Sequence, residues 1–170
     1  MSESAVCPVC FRHCVLSEGA SGFCRARKNI GGKSVCINYG KVTSLALDPV
    51  EKKPRARFYP GSMVLSAGSF GCNLDCPFCQ NHEISRAGEE DAGWRYISPE
   101  ELADTAEKLI PRGNIGAAFT YNEPMVGYEY VRDAAQAVRE RGMKTVVVTN
   151  GTAAPFALRE ILPHVDAFHI

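Results

Sequence analysis

The sequence predicts an α/β protein in which about four parallel strands alternate with helices, as a partial (β/α) barrel or an open sheet. A small cysteine-rich knuckle and β-hairpins precede it. Three observations carry that prediction. After Gly61 short apolar runs alternate with stretches of helical period, and repeated βαβ units are right-handed and build parallel sheets. The segment Asp48–Gly61 holds Pro49, Pro54 and Pro60 and breaks the pattern before it. The first 24 residues carry four cysteines in a stretch too short for a hydrophobic core, so a bound metal would have to hold its shape. The expected division is residues 1–60, knuckle plus hairpins, and residues 61–170, the partial barrel.

The elements follow in order. Gly31-Gly32 supplies a tight turn, and Ser34–Asn38 and Lys41–Leu47 carry the β-branched residues of short strands. Met63–Ser69 is an apolar strand that runs straight into a second cysteine cluster. Ser98 caps a helix with Pro99 in its first turn and Glu101 completing a capping box, and Leu102, Ala106, Leu109 and Ile110 share one face. Ile115–Thr120 is the next strand. Pro124 opens a helix with Tyr130, Ala134, Ala137 and Val138 on its buried face, and Gly142 closes it. Lys144–Thr149 is a strand, Pro155–Leu162 a short helix stopped by Pro163, and Val165–Ile170 a fourth strand without a helix to cover it.

A chain of 170 residues suffices for one domain with a real core, or one plus an appendage. Nineteen basic residues balance nineteen acidic ones, so the whole molecule has no electrostatic pull towards nucleic acid or anionic membrane. Arg25, Arg27 and Lys28, and then Lys52, Lys53, Arg55 and Arg57, form local basic clusters. Without an interleaved stacking pattern they read as solvated faces or a protein-docking surface rather than an RNA site. Met1–Val6 lacks the apolar run of a leader, and no stretch of about 18 apolar residues follows. A soluble, cytoplasmic protein is expected.

Seven of the eight cysteines fall in two groups: Cys7, Cys10, Cys14 and Cys24, then Cys72, Cys76 and Cys79. Short spacings in a chain without an export signal point to metal or cluster ligation, or redox chemistry, rather than disulfides. The first group offers four thiolates, enough for a tetrahedral zinc, with His13 as a substitute ligand; a second iron–sulfur cluster competes with zinc. A structural site fits that group better than a catalytic one. Cys36, alternating with apolar neighbours, reads as a small core residue.

The strongest signal is Gly71-Cys72-Asn73-Leu74-Asp75-Cys76-Pro77-Phe78-Cys79. Three thiolates on one loop can ligate three irons of a cubane and leave the fourth without a protein ligand, and an open coordination position is where a substrate or cofactor binds. The alternative is a structural zinc loop borrowing His82. The loop directly follows a strand, where parallel α/β folds place their active sites.

C-x3-C-x-aromatic-C after the first strand, with Phe78 as the aromatic, resembles the signature of the radical S-adenosylmethionine superfamily. The longer run is similar to a narrower group, relatives of pyruvate formate-lyase activating enzyme in the AmmeMemoRadiSam system. It extends from Cys7-Pro8-Val9-Cys10 through Tyr59-Pro60-Gly61-Ser62 to Cys79-Gln80-Asn81-His82-Glu83-Ile84-Ser85. The resemblance implies a [4Fe–4S] cluster on Cys72, Cys76 and Cys79 whose bare iron chelates S-adenosylmethionine. It implies reductive cleavage to methionine and a 5′-deoxyadenosyl radical that abstracts hydrogen. It also implies an electron donor of the flavodoxin or ferredoxin type, and a protein or small-molecule substrate, such as a partner activated with a glycyl radical.

Thr120-Tyr121-Asn122-Glu123-Pro124 and Thr149-Asn150-Gly151 follow the next two strands and so share the edge of the cysteine loop. By resemblance, Asn122-Glu123-Pro124 stands where many members have Gly-Gly-Glu and meets the methionine amino group, for which Glu123 offers a carboxylate. A plain helix start is the other use of Glu123-Pro124. By resemblance, too, Asn150 contacts the ribose hydroxyls with Thr149 beside it, and Phe78 touches adenine. An Asn-Gly turn and an aromatic filling the core are the alternatives. Asn81 and His82 face the pocket in this picture, His82 as a hydrogen-bonded neighbour of the cluster rather than a ligand. Full members are expected to continue past His169-Ile170 with an Asp-x-Lys segment and further strands, so the 170-residue chain alone should bind the cluster but cleave S-adenosylmethionine poorly.

Overall fold

The computed structural model describes residues 4–52 and 58–170. Two hairpins come first. Strands β1 (Ala5–Val6) and β2 (Val15–Leu16) pair antiparallel, as do β3 (Arg27–Ile30) and β4 (Lys33–Cys36) across the Gly31-Gly32 turn. The main sheet contains β5 (Lys41–Pro49), β6 (Met63–Ser69), β7 (Arg95–Tyr96), β8 (Asn114–Phe119), β9 (Lys144–Val148) and β10 (Ala167–His169), in the order β10-β9-β8-β6-β5-β7. The steps from β6 through β8 and β9 to β10 are parallel, while β5 joins β6 and β7 antiparallel. This is a mixed α/β fold with a parallel-strand sheet, as expected from the alternation. Strand β5 adds an antiparallel neighbour contributed by the first sixty residues.

Helix α1 (His82–Ser85) is a single turn after the cysteine loop. Helices α2 (Pro99–Lys108), α3 (Tyr128–Glu140) and α4 (Pro155–Ile161) pack on one face of the sheet, against Leu65, Ala67, Ala117, Phe119 and Val147. The strand period of two sends Val64, Ala118 and Val146 to the other face, where they meet Val50 and Phe58. In α2 the Ser98 hydroxyl accepts from the Glu101 N–H at 3.1 Å, the expected cap. Its expected apolar face holds at Leu102 and Ala106. Ile110, however, lies in a following 3-10 turn and is 48% exposed, because the helix ends before it. In α3 the buried face includes all four expected residues, but a 3-10 turn at Pro124–Gly127 precedes the α-helix proper.

The N-terminal hairpins do not stand apart. Buried Arg27 forks onto both carboxylate oxygens of Glu129 on α3, at 2.8 Å each, and donates to the carbonyl of Ser34 at 2.8 Å. Arg27 therefore does not belong to a solvated basic face; the ion pair is what allows its burial. Lys52 pairs with Asp48 at 2.8 Å, while Lys53, Pro54, Arg55 and Arg57 lie outside the described residues. Cys36 is only half-buried at the edge of its hairpin, and its thiol donates to Asn38 Oδ1 at 3.1 Å. No helix among the described residues is long and apolar enough to cross a membrane.

Candidate active site

Three parallel strands end on one edge, and the chain leaves each in a polar loop: residues 70–81 after β6, 120–123 after β8 and 149–154 after β9. The first loop carries Cys72, Cys76 and Cys79, all free thiols and all partly exposed. Backbone geometry shapes it: the Cys79 N–H donates to the Cys76 carbonyl at 3.1 Å, and the Leu74 N–H points at Cys72 Sγ at 3.4 Å. Cys79 Sγ lies 3.4 Å from the buried Ser85 hydroxyl. Arg86, just past the end of α1, braces the loop by donating to the Leu74 carbonyl at 3.1 Å and pairing with Asp75 at 3.2 Å. Burial pushes the Cys72 thiol up; the Leu74 N–H works against that, while Glu123 and the two other cysteines add to the rise. A cationic cluster core would reverse that balance and hold the thiolate.

The loop after β8 turns inward. Glu123 is buried and caps the turn that follows: Oε1 accepts from the Met125 N–H at 3.0 Å and the Thr149 hydroxyl at 2.7 Å, and Oε2 accepts from the Asn150 N–H at 2.7 Å. Burial raises its pKa, and the Asn150, Thr149 and Met125 donors oppose the rise. Glu123 thus both starts the helix and ties two loops together. Asn122 binds the cysteine loop instead, donating to the Gly71 carbonyl at 2.9 Å and accepting from the Ser69 N–H at 3.2 Å. Tyr121, at φ +74°, swings to the other face, where its hydroxyl donates to Asp48 at 2.6 Å.

Phe78 is 83% exposed beside the cysteines, so it fills no core. His82 is exposed, with Nδ1 3.3 Å from the Cys79 carbonyl, and Asn81 stands at the start of α1, where its carbonyl but not its side chain accepts from the first turn. Three residues escaped the sequence reading. Asn73, 1% exposed, links the cysteine loop to Asn150 and Thr152, and Arg12 donates to its carbonyl at 2.7 Å. Nothing in the sequence shows that Asn73 is buried; only its place inside the cysteine motif hinted at a role.

The N-terminal cysteines stand close by. Cys7, Cys10, Cys14 and Cys24 line one cavity of about 10 Å³ together with Arg12, Arg27 and Asn73. Cys24 is buried, and that burial pushes its thiol up to about 11. Among the described residues no three Cys, His, Asp or Glu side chains converge as ligands of a single metal ion would. Gly71 brings the two cysteine segments together: at φ +91°, a Cβ there would stand 2.5 Å from the Cys24 carbonyl oxygen.

Residues 68–170, which include the three-cysteine loop and both polar loops beside it, match the radical SAM superfamily. The chain belongs to that superfamily. It is also 43% identical over 164 residues to an uncharacterized protein of Methanocaldococcus jannaschii, covering 96% of this chain and 48% of the relative. The chain thus spans about half the length of that curated relative. Membership in the superfamily implies a [4Fe–4S] cluster and S-adenosylmethionine, and the donor set fits: three soft, free thiols on one half-open loop. A cubane places each thiolate on a separate iron, so its ligands need not converge on one point.

Proposed function

We propose that Cys72, Cys76 and Cys79 hold a [4Fe–4S] cluster, and that the protein is a radical S-adenosylmethionine enzyme of the pyruvate formate-lyase activating type. The observation that carries this is the grouping of three free, partly exposed cysteines at the end of β6, beside two polar loops on the same sheet edge. When bound, the cluster and S-adenosylmethionine would supply one-electron cleavage of a carbon–sulfur bond and, through it, hydrogen abstraction from the substrate. The chain's own residues bind and orient. Phe78 offers an aromatic face for adenine, Thr149 and Asn150 lie at the ribose, and Asn122 and Glu123 lie at the methionine end. Of these, Glu123 acts largely by fixing Thr149 and Asn150, since both its oxygens already accept hydrogen bonds.

The parallel strands are read as part of a (β/α) barrel with the helices outside. The boundary at residue 60 is read as functional rather than as a break in packing, because β5 crosses into the sheet. A structural zinc or a second cluster is also proposed at Cys7, Cys10, Cys14 and Cys24; the four line one cavity, and because no three of them converge on one point, a single zinc there would need the thiols to move together. A cytoplasmic protein, a flavodoxin- or ferredoxin-type donor and a substrate from the AmmeMemoRadiSam system, protein or metabolite, complete the reading. Neither membrane nor nucleic acid is proposed as a partner.

Anaerobic reconstitution is the test. It should give a brown, oxygen-sensitive protein with iron and sulfide in cluster proportion, whose reduced spectrum changes when S-adenosylmethionine is added. Single alanine substitutions at Cys72, Cys76 or Cys79 should abolish that change. Zinc alone at the three cysteines, or a Cys72→Ala protein with cluster and cleavage intact, would remove the radical mechanism.

A further inference from the structure

We propose that Asn73 and Thr152 are positioning residues that, through a ring closed by Asn150, set the gap between the cysteine loop and the loop after β9, and with it the affinity for S-adenosylmethionine. This role rests on the radical reading above.

The three side chains form a closed ring in which each donates to the next. Asn73 Nδ2 donates to Thr152 Oγ1 at 2.9 Å, the Thr152 hydroxyl to Asn150 Oδ1 at 2.6 Å, and Asn150 Nδ2 to Asn73 Oδ1 at 2.8 Å. A head-to-tail ring gives every member both a donor and an acceptor partner, and each bond polarises the next. It also joins two segments that are 77 residues apart in the chain. Both ends are anchored outside the ring. Arg12 donates to the Asn73 carbonyl at 2.7 Å, and the Arg12 guanidinium stacks on Phe23 with 3.5 Å to the ring centroid. The Asn150 N–H donates to buried Glu123 at 2.7 Å. The loop after β9 is further tied to the N-terminal segment, where the Ala154 N–H donates to the Val9 carbonyl at 2.8 Å.

Asn73 is the immediate neighbour of Cys72, so any tilt of the ring moves the first thiolate relative to Asn150. Within the ring Asn150 spends its acceptor on Thr152 and one amide hydrogen on Asn73. Its second amide hydrogen is left over for a ligand oxygen. A ligand that bridges the two loops is therefore met by a pre-set span, and losing the ring would add the cost of ordering both loops to its binding. The cysteine loop has its own bracing from Arg86 and Asn122, so cluster uptake does not need the ring.

Asn73→Ala is the direct variant, but it leaves a hole beside the cysteines. The decisive pair is Thr152→Val, which keeps shape and removes the hydroxyl, and Thr152→Ser, which restores it. Iron and sulfide per chain are measured first, then the dissociation constant from titrating S-adenosylmethionine against the spectrum of the reduced cluster. Thr152→Val should load as much iron as the wild type and bind about tenfold more weakly, and Thr152→Ser should return to within about twofold of the wild type. Wild-type affinity in Thr152→Val overturns the proposal, and so does a Thr152→Ser protein as weak as Thr152→Val. Loss of iron in step with affinity makes the ring a general structural support and overturns it too. A wild-type protein that assembles no cluster sinks the radical reading itself, and this role with it.

Discussion

At the scale of single residues, two side chains separate binding from architecture. Phe78 is 83% exposed, so Phe78→Ala should leave the unfolding free energy within about 0.5 kcal/mol of the wild type. If the ring covers adenine, the same variant should bind S-adenosylmethionine more weakly; calorimetry and a binding titration decide between the two. Glu123 behaves in the opposite way. Glu123→Gln can keep the donors at one oxygen but sets an amide group against the Asn150 N–H or against Met125 and Thr149. It should therefore cost about 1–3 kcal/mol of stability in a denaturant titration, cofactor or none. The cysteine motif was legible because its spacing is itself the chemistry. The inward turn of Glu123 was not, because an Asn-Glu-Pro segment serves a ligand and a helix start equally well, and burial decides which. Asn73 and Thr152 were invisible for the same reason: their partners lie 77 and 79 residues away and come together only through the parallel pairing of β6, β8 and β9.

At the scale of elements, long apolar runs read cleanly and short or edge elements did not. Met63–Ser69 matches its expected bounds, and the strands at Ile115, Lys144 and Val165 shift by one or two residues at their ends. The two-residue strands β1, β2 and β7 and the single turn α1 are too short for a period to show. Strand β3 was missed because Arg27-Lys28-Asn29 reads as polar, although Arg27 and Asn29 are buried. The last strand depends on a charge cluster at its start. Burial pushes the Asp166 carboxyl up, but the Thr145 N–H at 2.9 Å, Lys144 and Arg139 outweigh it and hold the group below the usual carboxylate range. A lowered pKa in the folded state gives stability that is present above about pH 4 and lost as pH falls through the folded value. Asp166→Asn should thus unfold about 1–3 kcal/mol more easily at pH 7, with the difference closing below about pH 4. A gap independent of pH in the melting curves would count against this account of the cluster.

At the scale of the whole molecule, the sequence suggested a knuckle appended to a half-barrel, and the structure stitches the two together. Arg27 reaches from the second hairpin to Glu129 on α3, Asn38 donates to the Phe70 carbonyl at 2.9 Å, and β5 pairs with β6. Pro49, Pro54 and Pro60 mark a loop or linker at the expected boundary, but local composition carries no information about what folds back across it. Glu129→Ala would leave the Arg27 guanidinium buried without its counter-charge. The expected loss is about 3–5 kcal/mol, read as one cooperative transition by both far-UV and near-UV dichroism. If the hairpins melted first and the sheet stayed intact, the two parts would be less tightly joined than these contacts imply.

Gly71 gives that union an evolutionary edge. With the Cys24 carbonyl only 2.5 Å from where a Cβ would sit, the two thiol-bearing segments touch main chain to main chain. Neither can drift in sequence without respecting the other's backbone path. A chimaera that borrows its first forty residues from a distant relative should therefore succeed only when the donor segment follows the same course past position 71. One constraint on mixing parts thus lies at a residue with no side chain at all.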